Sequence, residues 1–164
     1  MRRLIVIFAL FAALAVPVGA LYAATGDGTL VVKNGVAPAG TPVVALTITG
    51  SVIGRIGYGK IVIDAGLSSD APQVTGWEWT GPSPKIDSAQ VWKGTDLTFR
   101  AVGGKYTVLV YGSGVNLVAV GKGTVKLAGI PDTPVGDGKY SLNGVDFVSL
   151  PGTQTDKLSI DANG

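Results

Sequence analysis

The sequence predicts an all-β domain, most simply a hairpin-rich two-sheet sandwich. Three observations carry this. Apolar residues recur with period two, so they line one side of an extended chain rather than one side of a helix. Glycine is frequent, 25 of 164 residues, which is costly inside helices and useful at tight turns. Gly103-Gly104 and Asn143-Gly144 stand at the centres of stretches whose side chains sort cleanly when the chain is folded back there. Apolar-rich strands need cover on at least one face, which a sandwich supplies. A small closed barrel is the alternative.

The first element is a helical signal peptide over residues 1–20. Met1-Arg2-Arg3 gives a positive start, Leu4 to Val16 is apolar and uncharged, and Pro17 and Gly19 break the helix. Val18-Gly19-Ala20 places cleavage after Ala20, with Ala23 or Ala24 as later alternatives. The competing reading is an uncleaved membrane anchor, since the apolar stretch through Ala24 is about the length of a bilayer span. Arg2-Arg3 lacks the polar lead-in of a twin-arginine signal, and no cysteine follows for lipid attachment. The expected location is therefore secreted or in the cell envelope. The membrane is a partner only if this segment is retained.

Residues 25–150 form the expected β domain. A hairpin over Thr95–Tyr111, turning at Gly103-Gly104, pairs Ala101 with Tyr106, Phe99 with Val108 and Leu97 with Val110, all on one face. A second, Lys139–Val148, turns at Asn143-Gly144 and sets Leu142 against Val145 and Tyr140 against Phe147. Asn34-Gly35 suggests a third, limited by Pro38 and Pro42. Residues 44–63 and 106–127 form an internal near-repeat of strand, Gly-Ser bend and hairpin. Its turns at Gly57–Gly59 and Gly121–Gly123 would pair Ile53 with Ile63 and Leu117 with Leu127. Ala65 to Gly94 is the least regular stretch and holds all three tryptophans. In the polar tail, 151–164, Leu158 and Ile160 suggest one last short strand.

Composition excludes several function classes. The chain has no histidine and no cysteine. That removes Ser-His-Asp and Cys-His catalysis and the usual zinc, copper and haem ligands. Asp27, Asp132 and Asp137 read as turn residues rather than a calcium loop. Gly121-Lys122-Gly123 lacks the Ser or Thr of a phosphate loop, and strands rather than a helix follow. No cofactor or metal is expected. The formal charge is +2, but taking Arg2 and Arg3 from the 13 basic residues leaves 11 against 11 acidic ones. A neutral mature domain argues against nucleic acid. Glu78 is the lone glutamate, so a carboxylate hydrolase would need an aspartate such as Asp87 or Asp96 beside it.

Trp77-Glu78-Trp79 is the most suggestive segment. In a regular strand Trp77 and Trp79 share a face with Glu78 opposite, and Trp92 and Tyr58 would extend that face. Aromatic rings beside a carboxylate suit sugar stacking and hydroxyl hydrogen bonding; the competing reading is that tryptophan fills the core. The leading expectation is a non-catalytic domain acting through protein or surface contacts. A carbohydrate-binding module and a small hydrolase are the alternatives, and a cell-surface protein or glycan is the expected partner.

Val52-Ile53-Gly54-Arg55-Ile56, Gly103-Gly104-Lys105-Tyr106 and Val120-Gly121-Lys122-Gly123-Thr124 resemble strings in uncharacterised secreted all-β proteins of actinobacteria. The resemblance implies export, a bacterial source and a compact β domain, and brings no activity, ligand or site.

Overall fold

The computed structural model describes residues 26–66, 69–131 and 138–162. The expected signal peptide and Asp132 and Asp137 lie outside the described residues. The described residues form strands and no helix: β1 (Gly28–Gly35), β2 (Val44–Ala65), β3 (Gln73–Pro82), β4 (Gln90–Ser113), β5 (Val115–Leu127), β6 (Lys139–Leu142), β7 (Val148–Ser149) and β8 (Leu158–Ile160). They join in one antiparallel sheet, ordered β3-β4-β2-β5-β1-β6-β7, with β8 on β5. The all-β expectation holds, and β8 is the short strand expected in the tail. The end strands β3 and β7 are not paired to each other, so the sheet is open rather than a closed barrel.

The core explains how one sheet suffices. Leu30, Val44, Ile56, Ile61, Leu97, Val110, Val115 and Leu127 are wholly buried. With no helix among the described residues, a face this dry is covered by the sheet curling over itself. Pairing shows the curl directly. The last third of β2 runs between two stretches of β4: Lys60 pairs with Lys93 on one side and Tyr111 on the other, and Ile61 with Trp92 and Val110.

Curling requires the alternation of side chains to slip, and this is where three sequence expectations fail. Gly103-Gly104 is not a hairpin turn. Leu97, Phe99, Ala101, Tyr106, Val108 and Val110 do share the buried face, but all lie in one continuous strand. The inward set is odd-numbered up to Ala101 and even-numbered from Tyr106, and β2 supplies the partners: Val52 for Ala101, Ile48 for Tyr106. Gly57–Gly59 and Gly121–Gly123 are likewise inside strands. Ile53 pairs with Arg100 and Val118, and Leu127 with Val44, so the near-repeat does not fold as two hairpins. The third difference is that Ala65–Gly94, expected to be irregular, contains β3.

The Asn143-Gly144 turn forms as expected, with φ of 51° and 79° and the Val145 N–H donating to the Leu142 carbonyl at 3.0 Å. Beyond it the register slips by one, so Tyr140 pairs with Val148 and not with Phe147. Asn34 has positive φ, but Gly35 pairs with Val115 instead of starting a third hairpin.

Tyr106 is the largest fully buried side chain. Its hydroxyl donates to the carbonyls of Val102, at 3.0 Å, or Asp70, at 3.1 Å, which satisfies a polar group that would otherwise be costly in the core. Burial, reinforced by the nearby Asp70 charge, raises its pKa.

Candidate functional site

The outer side of the β3-β4-β2-β4 region carries a row of four residues, each directly opposite the next on neighbouring strands. The row is Trp79, Lys93, Lys60 and Tyr111. Lys93 Nζ lies 4.7 Å from the centre of the Trp79 ring, and Lys60 Nζ lies 4.4 Å from that of Tyr111. Each lysine therefore leans away from the other and onto an aromatic face. Burial raises the pKa of the Tyr111 hydroxyl.

The next row is glycine: Gly59 pairs with Gly94 on one side and with Gly112 on the other, across the same three strand segments. A row without side chains next to a row of long ones makes a trough. Its volume is about 480 Å³, and its lining includes the loop Ala37 to Thr41 and Tyr58, with Glu78 and Trp79 from β3. On the far side of the lysine row a second hollow of about 240 Å³ is lined by Ser83, Lys85 and Ile86. There Ile86 packs on Val62, Ala89 and Val91, a small apolar cluster that holds the β3–β4 loop against the sheet.

The predicted residues divide. Tyr58, Glu78 and Trp79 meet in the trough. Trp77 does not line it. Trp77 pairs with Gly94 whereas Trp79 pairs with Lys93, so two residues advance on β3 for one on β4. This bulge puts Glu78 and Trp79 on the trough and separates the two tryptophans, against the expectation for a regular strand. Both remain about half exposed, at 48% each. Trp92 points to the other side of the sheet and packs against the main core, so it is partly a core filler. Lys60, Lys93, Tyr111 and the three glycines were not singled out from sequence. The available signal was the coupling of a glycine to a long side chain in Gly59-Lys60, Lys93-Gly94 and Tyr111-Gly112.

Among the described residues Glu78 is the sole carboxylate lining the trough. Hydrolysis by paired carboxylates needs a second one across the cleft, and Asp87 and Asp96 line neither hollow. Among the described residues no three His, Cys, Asp or Glu side chains group to hold a metal ion.

The fold and trough define a class: a cysteine-free all-β domain with an open aromatic and cationic groove on its outer surface. Comparison with known proteins finds no matching family model, no matching curated protein and no matching solved structure.

Proposed function

We propose that this chain is an exported, non-catalytic binding domain that takes a saccharide in the Tyr58–Glu78–Trp79 groove. The observation that carries the reading is the juxtaposition of two exposed aromatic residues, Tyr58 and Trp79, with one carboxylate over a glycine floor. Rings supply apolar area for a sugar face, Glu78 accepts hydroxyl hydrogen bonds, and bare backbone lets the ligand approach closely. Export rests on the order of charge, apolar run and breaker in residues 1–20. Trp79→Ala is expected to weaken oligosaccharide binding by about tenfold or more, as loss of a central aromatic anchor does. Trp77→Phe, outside the groove, leaves the affinity unchanged. Calorimetric titration of both variants checks this, and equal losses in the two would refute the assignment to the groove.

A second contact surface is favoured by the sheet edge at β7. Val145, Phe147 and Val148 are 64%, 42% and 48% exposed beside a two-residue edge strand. Apolar exposure at an unpaired edge suits a protein contact.

A further inference from the structure

Resting on the reading of the groove as a saccharide site, we infer that its ligand is acidic: a uronate-bearing oligosaccharide whose carboxylates sit between Lys60 and Lys93. The paired position of these two lysines carries the argument. They are direct partners on adjacent antiparallel strands, which run about 4.8 Å apart. Like charges placed this way repel and destabilise the pair. Neither has an ion-pair partner among the described residues. Leaning onto Trp79 and Tyr111 relieves the repulsion only in part, and a carboxylate that draws both flexible amines toward it would relieve the rest.

The surroundings extend the same charge. Lys85 borders the second hollow on the far side of the row, so the groove and this hollow together set Lys60, Lys85 and Lys93 against Glu78. The rest of the chain does not share this bias, since without Arg2 and Arg3 the basic and acidic residues number 11 each. The excess is local. Glu78 also selects among anions. A carboxylate within the groove opposes a dense polyanion such as polyphosphate, yet it accepts the hydroxyls of a sugar whose charges are spaced by rings.

The test is titration of the whole chain with tetragalacturonate, tetraglucuronate and tetramannuronate, with their methyl esters and with tripolyphosphate. At least one acid is expected to bind, to lose affinity as ionic strength rises, and to exceed its methyl ester by about tenfold. Lys60→Gln and Lys93→Gln should each weaken it by about fivefold, while Lys60→Arg and Lys93→Arg retain binding. Neither glutamine variant should lower the unfolding midpoint appreciably, because each removes a repulsion together with one exposed lysine–aromatic contact of similar size. A stability loss matching the affinity loss would overturn the ligand role of the lysines. Methyl esters that bind as tightly as the acids would overturn the acidic ligand and leave the saccharide reading standing. Tripolyphosphate binding as tightly as the acids would overturn both. Binding of neutral cello- or xylo-oligosaccharides alone would likewise overturn only the acidic inference, and binding of no saccharide at all would end both.

Discussion

Gly59→Ala is expected to destabilise the domain by about 3–5 kcal/mol, the sum of backbone strain and overpacking. Gly59 has φ of 156°, and a Cβ there would stand 2.0 Å from the Tyr111 carbonyl oxygen and 2.9 Å from the Gly112 Cα. A Cβ on its partner Gly112, with φ of 128°, would in return stand 2.1 Å from the Tyr58 carbonyl oxygen. Two backbones thus cross where β2 tucks against β4, and the obstacle is backbone on both sides, with no flexible side chain to give way. A substitution here opposes the curl that buries the core. Gly103→Ala is the contrast. Gly103 also has positive φ, 74°, but nothing lies within 4 Å of its Cβ position, so only the conformational cost remains, about 1 kcal/mol. Urea denaturation of both variants measures the difference, and equal losses would mean that the two strands do not approach as closely as described.

Phe99→Ala is expected to cost about 3–5 kcal/mol, the range for truncating a buried aromatic ring. Phe99 is 1% exposed, and its register partner is Gly54. A Cβ on Gly54 would fall 2.5 Å from the Phe99 ring tip, so the ring lies in the slot that the missing side chain leaves. Strands on either side hold that slot open, and its collapse on truncation is limited. Phe147→Ala, at a residue 42% exposed beneath Lys33, should cost less than about 1 kcal/mol. The same denaturation series tests both, and similar losses would contradict the placement of Phe99 in the core.

How much of this was legible in the sequence follows from what alternation encodes. Period two reports which residues face inward, and that reading was sound: all six side chains assigned to one face around Gly103-Gly104 are buried. It does not report what they pair with. A two-residue turn and an odd slip within one strand both carry the inward set from odd to even positions, so Ala101 and Tyr106 satisfy either. Only the long-range partners in β2 separate the two cases, and those belong to pairing rather than to local pattern. The Asn143-Gly144 turn was legible because its chemistry is local; the slip that moved Tyr140 from Phe147 to Val148 was not.

The candidate site was half legible for the same reason. Trp79, Glu78 and Tyr58 stood out by residue type, and the groove gathers them. The bulge that turns Trp77 away from Trp79 is a feature of β3 against β4, invisible along β3 alone. Lys60 and Lys93 are 33 positions apart in sequence and ordinary in composition. They become neighbours only because the curled sheet sets them side by side, with Trp79 and Tyr111 as bookends.

The central claim is that ligand engages Trp79 in this groove. It is tested most directly by fluorescence of a Trp77→Phe, Trp92→Phe variant, in which Trp79 is the sole tryptophan, titrated with the acidic oligosaccharides. The account predicts a saturable change in emission whose midpoint matches the calorimetric affinity, and no change in a Trp79→Phe variant that keeps Trp77 and Trp92. A response that follows Trp77 instead, or binding that leaves Trp79 emission unaltered, would contradict it.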